Sequence, residues 1–315
     1  MALAFIAPGQ GAQFVGMGME LAKSYPQSRS VFDEVDDALG ENLSDLIWYG
    51  SIEDLTLTEN AQPALMATTL AVFRALQSEG LKLSDAKFVA GHSLGEYSAL
   101  AMAESLSISD AAKLLRIRGR AMQNAVPVGV GAMAAILGLP YSDLVEITKQ
   151  AASNGVCQAA NDNDPSQVVV SGHKGAVERA IEIAKEAGAK RAILLPVSAP
   201  FHSELMAPAS LEMKDALSTI SIIEPTIPLV SNVRAQAVRL PAEIRSLLVE
   251  QVTGVVRWRE SIEWMANNGV TEMLEIGAGR ALSGMVRRIN RSISCASASN
   301  PDEVTKVILS QSEIR

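Results

Sequence analysis

The sequence predicts an α/β protein in which a smaller unit is set into a larger one, and three observations carry that expectation. An apolar run at residues 86–90 turns at Gly91-His92-Ser93-Leu94-Gly95 into a small-residue helix over 96–103. Between about 128 and 196 the pattern becomes strand, helix, strand, strand, helix, strand. After that stretch the alternation of strands and helices resumes. Such alternation marks the α/β class.

The elements follow in chain order. Residues 3–7 form a first buried strand, ended by Pro8-Gly9-Gln10-Gly11. Asn60-Ala61-Gln62-Pro63 opens a helix that runs to Glu79 and stops at Gly80. Proline suits a first helical turn and glycine a helix end. A helix over 110–125 carries Arg116, Arg118 and Arg120. In the set-in unit, strands fall at 130–137, 156–160, 167–171 and 191–195, with helices at 141–153 and 174–187. Asn161-Asp162-Asn163-Asp164-Pro165 reads as the turn between the middle strands, because Asn and Asp favour turns for local reasons. The β-α-β-β-α-β order is that of a split ferredoxin-like unit. The expected domains are therefore 1–127 plus 197–315, discontinuous, with 128–196 as the insert. Beyond it come a helix at 210–219, a strand at 227–230, a helix at 257–267 and a strand at 272–276. Gly277-Ala278-Gly279 then reads as a turn into a basic helix; the third glycine and acidic partner of a dinucleotide fingerprint are missing.

Composition excludes several functions. A chain of 315 residues, 48% hydrophobic, can bury a large core. Net charge is −8 and no long basic run occurs, which argues against nucleic acid. Cys157 and Cys295 are far apart, so no disulfide framework is expected and a reducing cytoplasm fits. The histidines His92, His173 and His202 belong to no metal-ligand pattern. The start lacks a basic segment and its apolar run is too short for a signal peptide. The longest uncharged stretch, 121–139, is broken by Pro127 and several glycines, so no membrane span is expected. These readings predict a soluble, cytoplasmic protein.

Gly91-His92-Ser93-Leu94-Gly95 matches the GxSxG nucleophile elbow. Small residues must flank a serine held on so tight a turn, and the N–H of Leu94 can then face a developing oxyanion. The plain reading is an ordinary strand-to-helix turn with serine as the cap. Serine needs a base. His92 adjoins Ser93, where neighbouring side chains diverge, so a packing role suits it; His173 opens a helix and suits a capping or surface role. His202, in Pro200-Phe201-His202-Ser203, is the base by elimination. An esterase would place Asp and then His late in the chain. Here the last histidine is His202 and no Asp–His pair follows, so its orienting partner is not an obvious carboxylate.

Several motifs stand in one order: Pro8-Gly9-Gln10-Gly11-Ala12-Gln13, Gly91-His92-Ser93-Leu94-Gly95-Glu96-Tyr97, Arg116-Ile117-Arg118-Gly119, Phe201-His202-Ser203, Gln251 with Val256-Arg257-Trp258, and Glu275-Ile276-Gly277-Ala278-Gly279. In these the chain resembles the malonyl-CoA:acyl carrier protein transacylases of fatty acid synthesis and the related polyketide acyltransferase domains. The resemblance implies a hydrolase-like large domain, a ferredoxin-like insert and a site between them. It implies Ser93 as nucleophile, His202 as base, the main-chain carbonyl of Gln251 as the group orienting His202, and the N–H groups of Gln10 and Leu94 as the oxyanion hole. It makes Arg118 the partner of the substrate carboxylate, a role that suits a guanidinium's paired donors. Phe201 resembles the malonyl-selecting form of its motif and should crowd an α-methyl branch. Malonyl-CoA and an acyl carrier protein are the implied partners, with no metal or redox cofactor. Carrier proteins of this type are acidic, so a basic patch is expected, from Arg287, Arg288 and Arg291 with Lys190 and Arg191. The competing readings are a free-standing polyketide acyltransferase, a serine thioesterase or hydrolase, and a non-catalytic carrier-binding scaffold.

Overall fold

The computed structural model describes residues 2–197 and 199–312. Ten strands among these residues are β1 (Ala2–Ala7), β2 (Ala86–Gly91), β3 (Gly131–Leu137), β4 (Cys157–Asp164), β5 (Gln167–His173), β6 (Arg191–Leu194), β7 (Leu229–Val230), β8 (Ala237–Val238), β9 (Val270–Ile276) and β10 (Ser294–Ala298). They form two sheets, ordered β10-β9-β1-β2-β7-β8 and β4-β5-β3-β6.

The larger sheet is parallel from β10 to β7, and only β8 runs antiparallel, at its edge. Its central strand β1 reads Ala-Leu-Ala-Phe-Ile-Ala, an unbroken apolar run, because helices cover both faces. Phe5 packs on one side against the core that holds Phe73, and Ile6 on the other against Trp258 and Ile262. The helix Thr58–Ser78 is buried nearly all round and lies against Ile108–Asn124. Pro63 inside it offers no N–H to the carbonyl of Glu59, and the Arg116 guanidinium donates to that oxygen instead at 3.0 Å.

The smaller sheet is antiparallel, and its elements run β3, helix Tyr141–Ala152, β4, β5, helix Lys174–Glu186, β6. That is the order predicted, with one correction. Residues 161–164 are strand, not turn; only Pro165 and Ser166 turn. The side chains of Asp162, Asn163 and Asp164 are buried because each has a partner from elsewhere in the chain. Asp162 pairs with Arg259 at 2.8 Å and Asp164 with Arg288 at 2.8 Å. The N–H of Asp162 donates to the Val256 carbonyl at 3.0 Å, and the N–H of Val256 donates to the Ala160 carbonyl at 2.9 Å. These bonds join β4 to the segment that leads into the helix Trp258–Asn267.

The segment between β1 and Thr58 contains helices that periodicity alone did not reveal: Met19–Ser24, Pro26–Leu39, Leu43–Tyr49 and Ile52–Thr56. One of them was signposted, since Pro26 stands at its start and Gly40 caps its end in the left-handed region at φ 64°. No helix among the described residues is long and apolar enough to cross a membrane.

Candidate active site

The strand β2 ends in a turn that only its glycines permit. A Cβ on Gly91 would sit 1.9 Å from the carbonyl oxygen of Gly95, and one on Gly95 would sit 2.4 Å from that of Ala7. Between them Ser93 takes φ 54°, in the left-handed region that a non-glycine residue enters at a cost. Asn232, just after β7, holds the turn from behind. Its Oδ1 accepts the Ser93 N–H at 2.7 Å and its Nδ2 donates to the Gly91 carbonyl at 2.7 Å.

His202 also stands at positive φ, 56°, and is 4% exposed. Its Nε2 lies 2.7 Å from Ser93 Oγ, and its Nδ1 lies 2.9 Å from the main-chain oxygen of Gln251. A carbonyl only accepts, so Nδ1 carries the hydrogen and Nε2 presents a lone pair to the serine. Burial, with the Arg118 charge second, pushes the imidazole down to about 3. It is therefore neutral at pH 7, the form able to take a proton.

Arg118 is 1% exposed. Its Nη1 donates to Gln62 Oε1 at 2.7 Å, and its Nη2 donates to Gln251 Oε1 at 2.9 Å and to Ser93 Oγ at 3.1 Å. Its Nε has no partner among the described residues. Burial draws its pKa down, yet a guanidinium stays charged. The solvated face expected of a basic helix fits Arg120, which is exposed and pairs with Glu59, but not Arg118.

Gln62 continues the network, with Nε2 donating to Thr58 Oγ1 at 3.0 Å; that hydroxyl donates to Gln10 Oε1 at 2.9 Å. Gln10 stands in the loop after β1, beside the elbow, and lines the same cleft as Ser93 and His202. Among the described residues, neither the Gln10 nor the Leu94 N–H donates to a main-chain acceptor. The cleft, of about 590 Å³, is lined by strand residues of the smaller sheet, including Met133, Asn161 and Val169, and by loop and helix residues that flank the larger one. Phe201 forms part of its wall and is 8% exposed.

The residues expected to carry the chemistry, Gln10, Ser93, Leu94, Arg118, His202 and Gln251, thus lie in or against one cleft. Others were missed. Asn232 carried no local signal. Glu96 did: a carboxylate in an otherwise small, apolar helix flags a buried charge. Asn163 was read as turn, but its Oδ1 lies 2.8 Å from His92 Nε2, while the His92 ring meets Trp258 edge-on at 5.6 Å. His173 stands at a helix start as expected, although its Nδ1 accepts the Val156 N–H across the hairpin rather than capping the helix. Arg287, Arg288 and Arg291 are exposed, as are Lys190 and Arg191. Arg288, however, is already engaged by Asp164. Among the described residues no group of side chains is arranged to hold a metal ion.

A serine elbow on a parallel sheet, with a neutral imidazole beside it, is the arrangement of serine acyl-transfer enzymes. Comparison with known proteins agrees. The acyl transferase domain family model matches residues 4–304. The malonyl CoA-acyl carrier protein transacylase of Bacillus subtilis is 47% identical, over 97% of this chain and 96% of its own. The acyl-carrier-protein S-malonyltransferase of Bartonella henselae superposes with a TM-score of 0.96 at 53% identity, over 98% of this chain and 99% of its own. A type II polyketide malonyl-transacylase, solved with its acyl-carrier protein, gives a TM-score of 0.95 at 39% identity over 98% and 100%. The chain belongs to the acyl transferase domain family, and it is an acyltransferase.

Proposed function

We propose that this protein transfers a malonyl group from malonyl-CoA to the phosphopantetheine thiol of an acyl carrier protein through a malonyl ester on Ser93, and so supplies fatty acid synthesis. The observation that carries the reading is Arg118. A buried guanidinium lies 3.1 Å from the hydroxyl of the elbow serine. Malonyl has one methylene between its thioester carbonyl and its carboxylate, so a carbonyl on Ser93 places that carboxylate within reach of Arg118. A neutral acetyl group would leave the charge unpaired, which costs more than the lost contact alone.

In the scheme, Ser93 Oγ attacks the thioester carbonyl as Nε2 of His202 takes its proton. The Gln251 carbonyl holds the imidazole in the required tautomer. The N–H groups of Leu94 and Gln10, free of main-chain acceptors, take the oxyanion. Coenzyme A leaves as its thiol, receiving the proton from His202. The carrier thiol then attacks the ester, and the steps reverse. Exchange of an acyl group between thiol and hydroxyl needs neither metal nor redox cofactor.

The two sheets support a hydrolase-like domain, 1–127 plus 197–315, with a ferredoxin-like insert, 128–196. The two unpaired cysteines, Cys157 and Cys295, support a reducing, cytoplasmic site of action. Phe201 in the cleft wall supports selection of malonyl over an α-branched analogue. The exposed Arg287 and Arg291 support docking of an acidic carrier. Since Arg288 holds Asp164, Arg287→Glu is the cleaner reversal, raising the KM for carrier protein but not for malonyl-CoA.

Intact mass after mixing with malonyl-CoA, without carrier, tests the reading. A malonyl-sized gain is expected, absent in Ser93→Ala and weak with acetyl-CoA. Steady release of coenzyme A without mass gain would indicate a hydrolase instead. Arg118→Ala should lower the malonyl-over-acetyl preference by roughly a hundredfold or more.

A further inference from the structure

Glu96 is a carboxylate that the scheme above does not use. It lies in the helix Gly95–Met102, every residue of which is buried, and is itself 1% exposed. Its Oε2 accepts from the side-chain amide of Gln251, and from the Asn232 N–H at 3.4 Å. That same amide turns its Oε1 to Arg118 at 2.9 Å and donates from Nε2 to the Ser93 carbonyl at 3.0 Å. The main chain of Gln251 meanwhile holds His202. One residue therefore stands between a buried carboxylate, a buried guanidinium and the reacting pair.

The chemistry of these groups leaves the amide one orientation. A carboxylate only accepts and a guanidinium only donates, so Nε2 must face Glu96 and Oε1 must face Arg118. A protonated acid, or a glutamine in its place, can donate as well as accept, so the anionic one of the three groups that fix the amide is lost and only Arg118 and the Ser93 carbonyl still hold it. Charge acts in the same direction. Arg118 adds to burial in depressing the basicity of His202, and Glu96 lies close enough to Arg118 for each to feel the other's charge.

We propose that Glu96 is a positioning residue for malonyl transfer: through the Gln251 amide it holds Arg118 and His202 in register with Ser93, and it offsets the guanidinium charge until the substrate carboxylate arrives. This rests on the malonyl-transfer reading. The groups that face Glu96 are Gln251 from the helix Pro241–Gln251, Ser231 and Asn232 after β7, Arg118 from the helix Ile108–Asn124, and its neighbour Tyr97. Burial among them pushes Glu96 up to about 7, so its ionisation falls in the working range, whereas His202 is held near 3.

The test is the rate of Ser93 acylation at saturating malonyl-CoA, followed by rapid-quench intact mass from pH 5.5 to 8.5. In the wild type the rate constant should rise through about pH 7 as the carboxylate ionises. Glu96→Gln should lose that limb and run roughly ten- to a hundredfold slower at pH 8. Its KM for malonyl-CoA should fall, because Arg118 is then uncompensated. Its Tm at pH 8 should change little, since the buried carboxylate charge that is removed is set against the guanidinium charge left uncompensated. Glu96→Asp should keep the limb at reduced amplitude. An unchanged rate and limb in Glu96→Gln would overturn the proposal, as would a slower variant with lower Tm and the wild-type limb, which a purely structural role gives. Should Glu96→Gln fail to fold, absence of the limb from both the wild type and Glu96→Asp overturns it equally. No ester in the wild type would instead overturn the functional reading beneath it.

Discussion

Two stretches of this chain look alike on paper and behave oppositely. Gly91–Gly95 and Asn161–Asp164 are both short runs of turn-forming residues beside an apolar strand. The first is a turn, and its causes are local: two glycines with backbone oxygens where a Cβ would go, and a serine at φ 54°. The second is a strand, and its causes are remote: Arg259, Arg288, His92 and the main chain of Val256. Turn chemistry is decisive where sterics leave the chain no other path. It yields where the buried polar side chains find remote partners that a turn would forfeit.

Substitutions can break that contrast. The largest effect is expected at the elbow. Gly95→Ala drives a methyl into the Ala7 carbonyl and should cost about 3 kcal/mol or more in urea unfolding, with acylation of Ser93 down roughly a hundredfold. Wild-type stability in that variant would show the elbow to be less constrained than its geometry implies. On the strand, Arg259→Ala strands the Asp162 carboxylate in the interior and should cost about 3 kcal/mol. Burial already holds the Asp162 pKa above its ordinary value despite Arg259, so adding Asp162→Asn should recover much of that loss. If the double variant is no more stable than the single one, the pair is not what holds β4.

A pH effect comes next. The free imidazole titrates near 6.5, while folded His202 is held down at about 3. The unfolded chain therefore binds the proton first, and stability falls as pH drops below about 6.5 towards 3. By pH 5 the loss is about 2 kcal/mol. His202→Gln should lack it, so unfolding of the two proteins at pH 7.5 and pH 5 measures the difference; parallel behaviour would place that titration elsewhere. The smallest effect is expected of Asn163→Ala, about 1 kcal/mol, from the bond that His92 loses. A change of several kcal/mol there would make this contact, not the ion pairs, the principal tie.

How far the sequence could be read follows the same divide. The elbow, the strands that flank it and the order of the smaller sheet are set by neighbours in the chain, and residues near 91–95 and 128–196 displayed them. His202 was reached by elimination among three histidines, and its partner only by resemblance, because a main-chain carbonyl leaves no trace in side-chain identity. Asn232 and the Gln62–Thr58–Gln10 chain were invisible for a related reason: Asn232 holds an elbow 139 to 141 residues before it, and Thr58 reaches Gln10 48 residues away. Arg118 shows the limit from the other side. Beside Arg116 and Arg120 it reads as one more charge on a wet helix, and only the packing of Gln62 and Gln251 around it says otherwise.

The main-chain bonds between β4 and Val256 have a mechanical consequence. They pin one margin of the smaller sheet to the larger body, while β6 at the opposite margin is an edge strand with exposed residues. A plate fastened along one side can tilt but cannot slide. While those bonds hold, the smaller sheet cannot shift along the seam without first giving up the main-chain bonds at Asp162 and Val256.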